Sequence, residues 1–153
     1  MLSEILLNEA QKALLQTFVS RTLLAILFAG LLSQGSKIIL ALRKSRKLSW
    51  KDILVTGGMP SSHSALVTAL VLIILFLDGV SMAFVISLVL AVIVIRDAYG
   101  VRRAVGEEGL ILKKLMKKTG VKGTVHFAMG HKPIEVLVGV IIGVLAAVIA
   151  YVI

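Results

Sequence analysis

Residues 57–77 read GGMPSSHSALVTALVLIILFL, a turn-forming segment followed directly by an uncharged apolar run. Glycines such as Gly57 and Gly58 let the backbone approach a ligand closely. Pro60 can occupy the first turn of a helix, where its missing N–H is not needed. Free amides at a helix start favour anions, and His63 can move a proton near neutral pH. The segment predicts either an anion site or only the capped start of a membrane helix.

The composition of the chain indicates an integral membrane protein. Of its 153 residues 58% are hydrophobic, and the mean hydropathy is +1.01, which is too apolar for an ordinary soluble domain. The lack of cysteine excludes disulfides and thiolate chemistry. The three histidines form no zinc-binding pattern, so we expect neither a metal nor another cofactor. We treat residues 1–153 as a single membrane domain.

The apolar runs predict an all-α bundle of membrane-spanning helices. Because a span needs about 20 residues, we place four spans at 20–42, 61–77, 80–99 and 133–153. Residues 1–19 combine apolar residues at helical spacing with charged ones, which predicts an amphipathic helix leading into the membrane. Residues 107–118 predict a basic interfacial helix, with two glutamates at its start and four lysines towards its end.

Gly139 and Gly143 form a Gly-x-x-x-Gly pair in the last predicted span. Such a pair lets another helix pack closely. The sequence does not say whether that helix belongs to the same chain or to a second copy, so a homo-oligomer is left open.

The basic residues predict how the chain is oriented in the cell membrane. The net charge is +9, and the basic residues cluster in two loops that lie on the same side of the four spans. By the positive-inside rule that side is the cytoplasm. Aromatic residues make up only 5% of the chain and form no stacking platform, so we expect membrane lipids rather than nucleic acid as partners.

This topology brings polar residues from four separate stretches to one face of the membrane. Ionisable groups at membrane depth tend to face the bundle interior and to be functional, although snorkelling side chains would explain part of such a cluster. The residues are Lys37 and Arg43; Ser61, Ser62 and His63; Arg96, Asp97, Arg102 and Arg103; and His131, Lys132 and Glu135.

His131 and Glu135 are four residues apart at the start of the last span, so they share a helix face. A carboxylate beside an imidazole can hold its tautomer and stabilise its cation. The alternative is a surface histidine beside a glutamate that only favours the helix start.

Three segments together resemble a known family: residues 57–64 (GGMPSSHS), 97–103 (DAYGVRR) and 130–135 (GHKPIE). They resemble the divergent membrane branch of the type 2 phosphatidic acid phosphatase and vanadium haloperoxidase superfamily, over about Thr22 to Ile153. That superfamily has three motifs on a helical bundle: Lys-x6-Arg-Pro, Pro-Ser-Gly-His and Ser-Arg-x5-His-x3-Asp. The resemblance implies that His63 is the general acid, that His131 is the nucleophile, and that Glu135 orients His131.

The chain departs from the superfamily pattern in each motif. Ser62 stands where the second motif has glycine, and Glu135 stands where the third has aspartate. Thr124 and Val125 stand where the third motif has Ser-Arg, and Lys37 to Lys44 has the spacing of the first motif without its Arg-Pro. Phosphoryl transfer needs cationic groups, so we expect Arg96, Arg102 or Arg103 to replace the missing arginines.

We therefore expect a metal-independent membrane phosphatase that acts on a phosphorylated lipid or isoprenoid through a phosphohistidine. Its phosphate-binding residues would be Gly58, Ser61, Ser62, Lys37, Arg96, Arg102 and Arg103. Asp97, Pro60 and Gly100 would be structural, with Asp97 holding an arginine. The alternative is a non-catalytic protein that binds lipid headgroups or phosphate-like anions on the same scaffold. A small transporter is disfavoured, because transport sites tend to lie near the midplane between repeats.

Overall fold

The computed structural model describes residues 2–43, with side chains from Asn8 onward, and residues 58–121, 123–124 and 130–153. The regular secondary structure of these ranges is entirely α-helical. We number the helices α1 (Leu2–Arg43), α2 (Ser62–Asp78), α3 (Met82–Tyr99), α4 (Val101–Thr119) and α5 (Pro133–Val152). The predicted all-α bundle is confirmed.

Serine and glycine residues set the ends of the two central helices. The Ser61 side chain accepts a hydrogen bond from the Ser64 amide and caps α2, and Ser81 caps α3 in the same way through the Phe84 amide. Gly79 ends α2 with a φ of 64°, a backbone conformation that favours glycine. The sequence had allowed Pro60 to lie in the first turn of α2. Because Ser61 is the cap, Pro60 instead lies before the helix.

We expected an amphipathic helix over residues 1–19 followed by a separate span, but α1 is one continuous helix. It runs without a break from Leu2 to Arg43, since no proline interrupts this stretch. Its 42 residues give a length of about 63 Å, roughly twice the hydrocarbon thickness of a bilayer. Residues 8–17 are all exposed, so the N-terminal part extends beyond the helices against which the rest packs.

Helix α2 lies at the centre of the bundle and packs against α1, α3 and α5. The core is built mainly from alanines, and small residues allow membrane helices to approach closely. A Cβ atom on Gly139 would lie 2.3 Å from the Ser61 carbonyl oxygen, and one on Gly143 would lie 2.5 Å from that of Ala65. The glycine pair thus seats α5 on α2 within the same chain. The buried hydrophobic core residues are Ala25, Ala29, Ala65, Ala69, Ile73, Ile74, Ala146 and Ala150.

The outer surface of the bundle suits a lipid environment. Three helical stretches, Asn8–Arg43, Met82–Thr119 and Pro133–Val152, are long and apolar enough to cross a membrane. Helix α2 is apolar but shorter, with 17 residues, which is the lower end of the usual range for a span. Large apolar side chains such as Leu27 and Ile86 are exposed. The second of these stretches includes α4, which among the described helices packs only against α3.

Candidate active site

Backbone hydrogen bonds join three helix ends at one end of the bundle. The His131 amide, just before α5, donates to the Ala98 carbonyl near the end of α3 at 3.0 Å. The Ser61 amide, at the start of α2, donates to the Glu135 carbonyl in the first turn of α5 at 2.9 Å. These bonds fix His131 and Glu135 relative to α2 and α3 independently of any side chain.

Gly130 allows the segment before α5 to pass close to the start of α4. A Cβ atom at this position would lie 2.2 Å from the Arg103 amide nitrogen and 2.3 Å from the Arg103 Cα. Because these are backbone atoms, they have little room to move aside, and the position requires glycine. The close contact places His131 beside the first turn of α4.

His131 is buried and pairs with the partly buried Glu135. The His131 Nδ1 lies 3.1 Å from the Glu135 Oε2, and the two side chains are only 5% and 16% exposed. The same carboxylate oxygen accepts a hydrogen bond from the Lys132 amide at 3.2 Å. With Nδ1–H donating to the carboxylate, the lone pair of the neutral imidazole is on Nε2. The pair therefore has the arrangement of an oriented nucleophile or base.

His63 lies in the first turn of α2 and is exposed. Arg102, His131, Lys37 and Asp97 all lie near the His63 imidazole. Glu135 is likewise near Lys37, which is half-buried on α1. The structure thus brings together groups from all four stretches that the sequence singled out.

Ser61 and Ser62, two of the predicted phosphate-binding residues, differ in their surroundings. Ser61 is fully buried, and its hydroxyl accepts from the Ser64 amide at 3.4 Å and from the Ser64 hydroxyl at 2.9 Å. The Ser62 hydroxyl oxygen is buried and has no hydrogen-bond partner within the described ranges. Ser62 therefore retains hydrogen-bonding capacity that Ser61 uses in capping α2. Gly58 precedes both with a φ of 79°.

The three candidate arginines are oriented differently. The Arg102 Nε donates to the Asp97 carboxylate across the α3–α4 junction. The Arg103 Nε donates to the Glu107 carboxylate at 2.9 Å, one turn along α4. Arg96 is exposed in the last turn of α3. Of the three, Arg102 is the one whose charge acts on His63.

Gly100 lies at the junction between α3 and α4. It ends α3, its amide donates to the Arg96 carbonyl at 2.9 Å, and a Cβ atom would lie 2.8 Å from that oxygen. Across the part of the chain that the structure describes, no group of three His, Asp or Glu side chains could hold a metal ion.

Sequence reasoning missed Gly130 and Ser64 as residues that build the site. A glycine directly before a histidine is a weak signal, because only the neighbouring backbone reveals why it is needed. Gly57, the basic loop after Arg43 and Val125 lie outside the described residues.

Comparisons with known proteins identify the family of the chain. The sequence model of a family described as the divergent PAP2 family matches residues 18–146, a range that contains every candidate site residue. The chain is 38% identical over 147 residues to the uncharacterized membrane protein YuiD of Bacillus subtilis (strain 168), covering 84% of this chain and 93% of that protein. No solved structure matches the chain. Together with the apolar helices, these matches establish a membrane protein.

Proposed function

Because the chain belongs to the divergent PAP2 family, we propose that it is a membrane phosphatase that hydrolyses a lipid or isoprenoid phosphate. The site is the end of the bundle where the first turns of α2 and α5 meet the end of α3. The basic residues beside it favour a cytoplasmic orientation of this end by the positive-inside rule, and the proposal takes that orientation.

The observation that supports this proposal most strongly is the pair of His131 and Glu135. Its 3.1 Å contact joins an imidazole nitrogen to a carboxylate, and the His131 ring lies near the second imidazole, that of His63. A structural helix cap needs the Lys132 amide contact but does not need a histidine on the same oxygen. Two neighbouring imidazoles, one held by a carboxylate, are suited to nucleophilic and acid–base chemistry.

The reaction would proceed in two balanced steps. The lone pair on the His131 Nε2 attacks the phosphorus, the bond from phosphorus to the lipid oxygen breaks, and that oxygen takes the proton of the His63 imidazolium. Water then attacks the phosphohistidine while neutral His63 accepts a proton, which releases inorganic phosphate and restores both histidines. The Glu135 carboxylate holds the His131 ring and stabilises the positive charge that develops on it.

Cations and hydrogen-bond donors near the two histidines would stabilise the transferring phosphoryl group. Lys37 and Arg102 supply positive charge beside His63, and most of the catalysis of phosphoryl transfer is electrostatic. The Ser62 hydroxyl, buried without a partner among the described residues, and the free amides at the start of α2 would donate to phosphate oxygens. No metal ion takes part in this scheme.

The test is phosphate release by purified protein in nanodiscs, with phosphatidate and prenyl diphosphates as substrates. We expect release by the wild type and a loss of at least about 10³-fold in His131→Ala, since the nucleophile is removed. Ser81→Ala, which removes the cap of α3, is the control for a general loss of stability. Equal turnover by wild type and His131→Ala would exclude the phosphohistidine mechanism.

A second candidate function is binding of lipid headgroups or phosphate-like anions without catalysis. It is favoured by Thr124 and Val125, which stand where the related superfamily has Ser-Arg, and by the ion pair that directs Arg103 to Glu107. Saturable binding of phosphatidate with no phosphate released under any assay condition would support this alternative.

A further inference from the structure

The C-terminal half of α4 presents two contrasting faces. Ile111, Leu112 and Leu115 are 58%, 49% and 52% exposed, and their spacing places them along one side of the helix. The other side carries Lys113, Lys114 and Lys117, and Lys118 lies at its edge, one turn after Leu115; all four lysines are exposed. No ion pair involves these lysines within the described ranges. This half of α4 is therefore an amphipathic basic helix with an exposed apolar face.

Helix α4 begins where an apolar membrane-spanning helix ends. The helix begins at Val101, directly after Gly100 ends the apolar helix α3, so it starts at the end of a membrane-spanning segment. Gly100 has a φ of −97° and a ψ of −92°, which are not helical angles, and α4 therefore does not simply continue α3. Among the described helices, only α3 packs against it.

The charge pattern of α4 favours an anionic lipid surface as its partner. A helix with lysines on one face and apolar residues on the other lies in the headgroup region, with its apolar side at the acyl-chain boundary. Clustered lysines next to a membrane span are attracted to anionic lipids. The two glutamates, Glu107 and Glu108, are in the N-terminal half, away from the four lysines.

We propose that the C-terminal half of α4 binds the anionic lipid surface of the membrane that the bundle spans. Ile111, Leu112 and Leu115 enter the acyl-chain boundary, and the four lysines contact anionic headgroups. This binding does not depend on the phosphatase chemistry proposed above, and it is measured separately from it.

The test uses the full-length chain, whose lack of cysteine allows one label at a chosen position. Leu112→Cys carries an environment-sensitive fluorophore on the apolar face, and Lys117→Cys carries it on the basic face. Each is measured in nanodiscs of phosphatidylcholine alone and with about one-third phosphatidylglycerol, a fraction high enough to create a negative surface potential.

We expect the label at Leu112→Cys to show blue-shifted emission and at least three-fold lower quenching by iodide in the anionic nanodiscs. The label at Lys117→Cys should remain accessible to iodide quenching in both the neutral and the anionic nanodiscs. Changing the four lysines to glutamine should return the Leu112→Cys label to its value in neutral lipid. Changing them to arginine keeps the charge and should keep the protection, and high salt should weaken it.

Three results would overturn the proposal. The first is equal iodide quenching at Leu112→Cys in neutral and anionic nanodiscs. The second is protection that survives the four lysine-to-glutamine changes, because an anionic surface would not then be the partner. The third is efficient disulfide formation between two copies of Leu112→Cys in dilute proteoliposomes, because a second copy of the chain would then cover this face.

Discussion

Ser61 and Ser62 are adjacent in the chain, yet their hydroxyl groups have different roles. The hydroxyl of Ser61 receives two hydrogen bonds from Ser64, so it stabilises the start of α2. The hydroxyl of Ser62 is buried without a partner in the described part of the chain. A buried polar group without a partner costs free energy, and binding of a phosphate oxygen would supply the missing contact.

This difference predicts opposite effects of two neighbouring substitutions. Ser61→Ala should lower the free energy of unfolding by about 1 kcal/mol, the usual loss for a serine cap. Ser62→Ala should leave the free energy of unfolding unchanged or higher, and should weaken binding of vanadate, a phosphate analogue, by roughly ten-fold. Thermal unfolding in detergent and vanadate titration measure the two effects. Unchanged vanadate affinity in Ser62→Ala would argue against a phosphate contact at this hydroxyl.

Glu135 uses one carboxylate oxygen for two purposes, since Oε2 accepts from the Lys132 amide and contacts the His131 ring. Glu135→Gln keeps an acceptor for the amide but removes the negative charge beside the imidazole. We therefore expect a fall in kcat of about 10²- to 10⁴-fold with little change in the melting temperature. Glu135→Ala removes both contacts and should also destabilise the protein. A kcat of Glu135→Gln equal to that of the wild type would contradict the role given to this carboxylate.

At the scale of helices, the sequence predicts the spans well wherever local signals mark their ends. The structure places α2, α3 and α5 at Ser62–Asp78, Met82–Tyr99 and Pro133–Val152, within two residues of the expected 61–77, 80–99 and 133–153. Serine caps and Gly79 mark the ends of α2 and α3 in the sequence itself. The continuity of α1 was harder to predict, because charged residues before position 20 resemble a separate interfacial helix.

The partner of the glycine pair could not be predicted from the sequence. A Gly-x-x-x-Gly spacing specifies close approach but not the approaching helix, and only the fold shows that α2 lies there. For the same reason the sequence did not reveal the need for glycine at position 130, where the backbone of Arg103 comes close. Convergence of the four polar stretches was predictable, because it follows from the number of spans.

Alanine substitution tests the α2–α5 contact. In Gly139→Ala or Gly143→Ala the added methyl group would meet the Ser61 or Ala65 carbonyl oxygen at 2.3 or 2.5 Å. Because helix backbones must then separate, each change should lower the free energy of unfolding by about 1–3 kcal/mol. Gly35→Ala in α1 is the matched control, since nothing lies within 4 Å of its added Cβ. Equal stability of all three variants would contradict this packing.

At the scale of the whole molecule, the two ends of the bundle have different characters. The candidate site occupies one end. Near the other end, the Arg21 side chain donates to the Tyr151 carbonyl at 3.0 Å, and the rings of Phe76 and Tyr151 lie 5.3 Å apart. This contrast allows the orientation of the protein in the membrane to be tested directly.

Cysteine labelling in intact cells should show that the site end faces the cytoplasm. Val80→Cys lies in the turn between α2 and α3, where Val80 is 82% exposed, and Lys114→Cys lies on α4. A membrane-impermeant maleimide should label Val80→Cys in intact cells, and should label Lys114→Cys only after permeabilisation, because basic loops stay inside. The reverse pattern would place the site outside.

In the proposed mechanism, His131 carries the phosphoryl group while His63 protonates the leaving oxygen at the same end of the bundle. The most direct measurement is mass-spectrometric and radiochemical trapping of the enzyme during turnover of a ³²P-labelled lipid phosphate. We expect an acid-labile, alkali-stable label on His131 that is absent in His131→Ala and forms more slowly in His63→Ala. Phosphate release by wild type that continues undiminished in His131→Ala, with no labelled histidine, would contradict this mechanism.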